Sequence, residues 1–82
     1  MELMVNLAGR ISAVSRDGRS CVIHLDQPYA NKRLAVVSPE TKGRISLMSR
    51  SRDGKLAKNT RVRVVHVEVG SEALRALEIG IE

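Results

Sequence analysis

Gly9–Ser20, GRISAVSRDGRS, returns later in the chain as Gly43–Lys55, GRISLMSRSRDGK, and this near-repetition decides how the sequence is parsed. Gly9-Arg10-Ile11-Ser12 matches Gly43-Arg44-Ile45-Ser46, Ser15-Arg16-Asp17-Gly18 matches Ser51-Arg52-Asp53-Gly54, and Val22-Ile23-His24-Leu25-Asp26 matches Val64-Val65-His66-Val67-Glu68. The offset grows from 34 to 36 to 42 residues, so the extra length of the second copy falls in its turns, where loop closure costs little. A fainter correspondence links Arg33–Val36 with Leu74–Leu77. The chain therefore parses into two units, about residues 9–38 and 43–81.

Each unit reads as strand, Asp-Gly turn, strand, loop, strand. Asp-Gly suits a type I′ hairpin, whose two central residues need positive φ. In the first unit the strand before the turn is Ile11–Ser15 and the one after it Cys21–Leu25, with Cys21, Ile23 and Leu25 on one face and Val22, His24 and Asp26 on the other. In the second, Val62 and Val64 alternate with Arg61 and Arg63, and then Val65, Val67 and Val69 take the apolar phase. That switch of parity predicts a bulge or bend at Val64-Val65, which keeps both halves of the strand facing one core. Asp26–Lys32 is expected to be a loop because Pro28 cannot donate to a ladder. Leu34–Val37 is a third strand, and Ser71–Leu77 a turn or short helical piece before a last strand marked by Leu77, Ile79 and Ile81.

Two units of three strands give five to six strands in all, with little helix. The fold expected is an all-β, six-stranded OB-like or SH3-like barrel with internal duplication, since closure removes exposed edges. A swapped homodimer is its nearest competitor. Length limits the molecule to one domain over 1–82, because so short a chain buries only about 60 to 65% of its unfolded surface. With no Phe, no Trp and only Tyr29, aliphatic side chains must fill the interior.

Net charge is +5, and its distribution points to a partner. From Lys42 to Arg63 the chain carries eight basic residues against one acid, a local charge of +7, while the other sixty residues sum to −2. Arg44, Arg50, Arg52, Lys55, Lys58, Arg61 and Arg63 are the candidate phosphate contacts; Arg50, Arg52 and Lys55 belong to a polar hairpin tip, and Arg61 and Arg63 to the outward face of the next strand. The other explanation is a solvated face that keeps a small protein soluble. Base stacking, the usual grip of single-strand binders, has only Tyr29 to draw on, and Tyr29 also suits simple loop packing, so a backbone-tracking binder fits better than a base reader.

His24 and His66 hold equivalent repeat positions, each two residues before an acid, but outward-facing residues of different strands rarely converge on a metal, and no metal or cofactor is expected. Cys21, the only cysteine, falls in the inward phase of its strand and reads as a small core hydrophobe in a reducing compartment. No motif of a nucleophile, zinc protease or phosphate loop is present, so no enzyme is expected. The opening MELMVNLAGR lacks a basic segment followed by an apolar run, and no stretch has the roughly 18 consecutive apolar residues of a span. The expectation is a cytoplasmic protein without membrane insertion.

Gly54–Glu68, GKLAKNTRVRVVHVE, followed by Leu74 and Ala76, resembles the closing strands of the OB-fold domain that ends NfeD-type membrane-associated proteins. The likeness covers about the last third of the chain. Asn59 stands where that family has a glycine or similar turn residue before its Thr-x-Val run. The resemblance implies an accessory protein-interaction module. Two functions thus emerge: a non-enzymatic barrel contacting nucleic-acid backbone through a basic stripe, or a protein-interaction or oligomerisation barrel with an acidic partner.

Overall fold

Alternation of apolar and polar residues sets the strands. The computed structural model of the chain describes residues 1–38, 44–47 and 57–81, and among these it is all-β, with no helix. Five strands carry most of the structure: β1 (Glu2–Val14), β2 (Cys21–Tyr29), β3 (Lys32–Val37), β5 (Arg61–Val69) and β6 (Leu74–Ile81). A four-residue segment, β4 (Arg44–Leu47), lies between β3 and β5 in the chain.

β1 is longer than the alternation around Ile11 suggests, because Glu2, Met4 and Asn6 are exposed while Leu3, Val5 and Leu7 are half-buried against the core. Its length lets it serve two neighbours. Glu2–Arg10 pairs antiparallel with β5, and Gly9–Val14 with β2. The β1–β2 register shifts between Ile11 and Ala13, and at that bulge the Ser12 hydroxyl donates to the Val22 carbonyl at 3.2 Å. Gly9 permits the close approach of β1 to β2: a Cβ there would stand 2.8 Å from the Ile23 Cγ2 methyl and 2.9 Å from the His24 carbonyl oxygen.

Both tight connections of the first unit differ from expectation. At Ser15–Ser20 only Gly18 is left-handed, with φ of 74°, so the connection is not a type I′ turn. Gly18 N–H donates to the Ser15 carbonyl at 3.0 Å and Ser15 N–H to the Ser20 carbonyl at 2.8 Å, closing a longer loop. Asp17 accepts from the Ser15 hydroxyl at 2.6 Å and from Arg19 N–H at 3.0 Å, which holds its carboxyl below the ordinary value of 3.8. The two-residue left-handed turn occurs instead at Ala30-Asn31, with φ of 51° and 62°, between the partners Tyr29 and Lys32. Asp26–Tyr29 therefore belongs to a strand rather than a loop. Pro28 is tolerated because the β2–β3 register is interrupted between His24 and Tyr29, so no ladder bond is asked of it.

β5 and β6 turn a corner together. β5 buries Val62 and Val64, then Val67, with register shifts on either side of His66; β6 buries Leu74 and Ala76, then Ile79 and Ile81. The two changes of parity fall on one rung, His66 opposite Glu78. The expected bulge is present, but Val65 is only half-buried and Val69 is exposed. Ser71–Ala73 is a bend fixed by Gly70 N–H donating to the Ala73 carbonyl at 3.1 Å, not a helical piece, because Val69 and Leu74 are already partners.

The pairing order is β3-β2-β1-β5-β6-β4, with a further parallel pairing of β3 with β6 through Ala35–Leu74 and Val36–Arg75. Lys32 Nζ adds a bond to the Ser71 carbonyl at 2.6 Å across that junction. β4 pairs parallel with β6, so the segment equivalent by sequence to Arg10–Ala13 does not make the antiparallel hairpin that its counterpart makes. The second Asp-Gly pair, Asp53-Gly54, lies outside the described residues. The core lies inside these pairings, built from Ile11, Ile23, Leu25, Val62, Val64, Val67, Leu74 and Ile79, each at most 1% exposed.

Candidate functional site

On the outer face of β5, Arg61 and Arg63 point away from the core because Val62 and Val64 occupy the inward phase. Register then selects their neighbours. Arg61 is opposite Arg10 of β1, Arg10 is opposite His24 of β2, and His24 is opposite Leu34 of β3, so one rung crosses four strands. Directly opposed residues share a face with Cβ atoms about 5 Å apart, where like charges repel. Arg10 and Arg61 are such a pair.

Asp26, two residues beyond His24 on the same face, relieves half of this. Arg61 Nη1 and Nη2 donate to Asp26 Oδ1 and Oδ2 at 3.0 and 2.5 Å, a two-bond fork. The Arg61 bond holds the Asp26 carboxyl below its ordinary value of 3.8, and the charges of Arg61, Arg10 and His24 add to the effect. Asp26 is therefore a carboxylate at neutral pH. Arg10 and Arg33 make no hydrogen bond or ion pair among the described residues.

These side chains border a depression of about 370 Å³ lined by Arg10, His24, Leu25, Asp26, Arg33 and Arg61. A second, of about 270 Å³, is lined by Asn6, Leu7, Ala8, Asp26, Gln27 and Arg63, and the two share Asp26. Arg63 Nη1 donates to Asn6 Oδ1 at 3.0 Å. The two depressions thus lie along the outer face of β1 and adjoin at Asp26.

Of the residues singled out from sequence, Arg61 and Arg63 line these depressions. Lys58 is exposed in the turn that precedes β5, where Thr60 N–H donates to the Ala57 carbonyl at 3.2 Å and Asn59 takes a left-handed φ of 73°. Arg44 is on β4, opposite Glu78 and so on the rung of His66 rather than beside Arg61. Arg50, Arg52 and Lys55 lie outside the described residues. Tyr29 is half-buried and packs against the core cluster. His24 borders the basic depression, whereas His66 Nε2 lies 3.1 Å from Glu2 Oε1, so the two histidines sit on separate rungs. Cys21 is 3% exposed in the core, and burial pushes its thiol up to about 11.

Arg10, Asp26 and Arg33 were not among the sequence candidates. The signal for Arg10 was present in its outward phase between Gly9 and Ile11 and in its match to Arg44. The charge excess of residues 42–63 drew the candidates to the second unit, although residues 9–38 carry five basic residues against the two acids Asp17 and Asp26.

No protein-family model, curated protein or solved structure matches this chain.

Proposed function

We propose that this chain is a non-enzymatic binding module that holds the phosphate backbone of a nucleic acid along the outer groove of β1, β2 and β5. One observation carries the reading: the rung Arg61–Arg10–His24, with Arg33 beside it, gathers three guanidinium groups from three strands around a single carboxylate. Cations in a groove that follows a strand suit a repeating anion, and contacts to phosphate position a strand without reading its sequence. The packing of Tyr29 against the core favours backbone contact over stacking. Lys58, Arg63 and the basic residues at 44, 50, 52 and 55 extend the electrostatic attraction.

The scaffold is read as a small barrel of the OB type. The circuit β3-β2-β1-β5-β6, returned to β3 by a parallel pair, supports this, since such a circuit leaves few open edges. A single buried cysteine is in keeping with a cytoplasmic setting.

The second reading, a protein-interaction or oligomerisation barrel like the soluble domain of NfeD-type proteins, is favoured by Asn59: its left-handed φ of 73° is one that glycine, or a similar turn residue such as that family has there, adopts readily.

Titration of single- and double-stranded oligonucleotides at several salt concentrations tests the first reading. Log affinity should fall linearly with log salt, with a slope near −0.7 or −0.9 per phosphate neutralised on single or double strands respectively. No binding at low salt removes the nucleic-acid reading, and a light-scattering mass of twice the chain or more favours the second.

A further inference from the structure

The depression at Arg10 and Arg33 carries a positive charge concentrated enough to suit a single doubly charged anion. It collects Arg10 from β1, His24 and Asp26 from β2, Arg33 from β3 and Arg61 from β5. Arg61 and Asp26 neutralise each other through their two bonds, leaving the guanidinium groups of Arg10 and Arg33 as a fixed double positive charge. Leu25, whose side chain is buried in the core, completes the lining between His24 and Asp26. An internal phosphodiester brings one negative charge, whereas a phosphate monoester carries about −1.5 to −2 at neutral pH and offers three terminal oxygens to two planar forks. Its volume of about 370 Å³ is near the lower limit of small-ligand sites, enough for a phosphate and its attached group.

We propose that this depression is a seat for a phosphate monoester, held by Arg10 and Arg33, with Asp26 fixing Arg61 as the wall beside it. On the reading above, from which the proposal takes its polymer, the natural occupant is the phosphorylated end of a nucleic-acid strand, the rest of which follows the groove toward Arg63. A free small phosphate monoester has the same chemistry.

Two arms test the seat and separate it from the polymer. In the first, phenyl phosphate and dimethyl phosphate are titrated into the isotopically labelled chain while the His24 ring and Arg10 side-chain signals are followed by NMR. Phenyl phosphate should saturate and bind at least tenfold more tightly than dimethyl phosphate. The double variant Arg10→Gln/Arg33→Gln should lose at least tenfold, and Arg16→Gln/Arg19→Gln, which removes the same charge from the Asp17 turn, less than twofold. Equal binding of the two esters, absence of saturation, or an unchanged Arg10→Gln/Arg33→Gln variant overturns the seat. In the second arm, 5′-phosphorylated and 5′-hydroxyl oligonucleotides are compared by fluorescence anisotropy. Preference for the phosphorylated end supports seat and polymer together. Saturation by phenyl phosphate with no oligonucleotide binding supports the seat for a small monoester and overturns the nucleic-acid reading. Oligonucleotide binding that ignores the end, with no phenyl phosphate saturation, overturns the seat and leaves that reading standing.

Discussion

The two ends of the β1–β5 ladder each place like charges opposite one another, and they are treated differently. At one end Glu2 faces Glu68. Each acid there has its own neighbour: His66 Nε2 lies 3.1 Å from Glu2, and Arg75 Nη1 donates to Glu68 at 2.7 Å. At the other end Arg10 faces Arg61, and Asp26 bonds Arg61 through both oxygens while Arg10 and Arg33 make no hydrogen bond among the described residues. Repulsion that two separate partners relieve at the acidic end is met at the basic end by the Arg61–Asp26 fork, with no hydrogen bond or ion pair on Arg10 or Arg33 among the described residues. A cluster of charges is thus informative only once its internal partners are subtracted.

The sharpest way to break this contrast is to reverse the basic end. Arg10→Glu with Arg33→Glu should lower oligonucleotide affinity at low salt by about a hundredfold or more, since each lost bond to a charged group is worth roughly 1.5 to 3 kcal/mol; a loss under threefold in an anisotropy titration shows that the groove is not the contact surface. Next in size is the spacing of the strands that build it. Gly9→Ala brings a methyl against Ile23 and the His24 carbonyl and should cost about 1 to 3 kcal/mol in chemical denaturation, because the backbone atom it meets cannot rotate away.

Asp26→Asn sharpens the contrast by removing the carboxylate that bonds Arg61 at the basic end. Oligonucleotide affinity should rise about fivefold, the worth of one unit-charge interaction at 4 Å in water, with a steeper salt dependence. At the acidic end, Arg75→Ala exposes Glu68 to Glu2 and should lower stability by no more than about 1 kcal/mol, with no change in anion binding. The smallest effect is that of pH. The folded Asp26 carboxyl titrates below its ordinary value of 3.8, so its contribution is complete above about pH 4 and disappears as pH falls through the folded value. Thermal midpoints of wild type and Asp26→Asn should therefore converge on acidification below pH 4 and keep a constant separation from pH 5 to 7.

Much of the fold was legible because period-two alternation is local. Cys21, Ile23 and Leu25 identify the inward face of β2 without reference to any other strand, and the change of phase at Val64-Val65 announces the bulge beside His66. The N-terminal half of β1 carries the same alternation in Leu3, Val5 and Leu7, but it lies outside the repeat and has no counterpart in the second unit. Pro28 misled for a different reason: its missing donor excludes a ladder bond, not an extended backbone, and which bonds are absent depends on the register of β3. Asp17-Gly18 likewise satisfied the composition of one turn while Ser15, by bonding to Asp17 and accepting from Ser20 N–H, selected another.

By itself the sequence determined an all-β chain with an aliphatic core, the inward phase of its strands and the placement of Arg61 and Arg63 on an outer face, because each follows from residues a few positions apart. Only the tertiary structure decided that β3 meets β6, that β4 joins β6 rather than forming a second hairpin, and that Arg10, His24, Arg33 and Asp26 gather around Arg61. Those depend on registers between strands as many as 51 residues apart, as Arg10 and Arg61 are. Registers of that kind are set by how all the inward faces pack at once, and no local stretch of the chain carries that information.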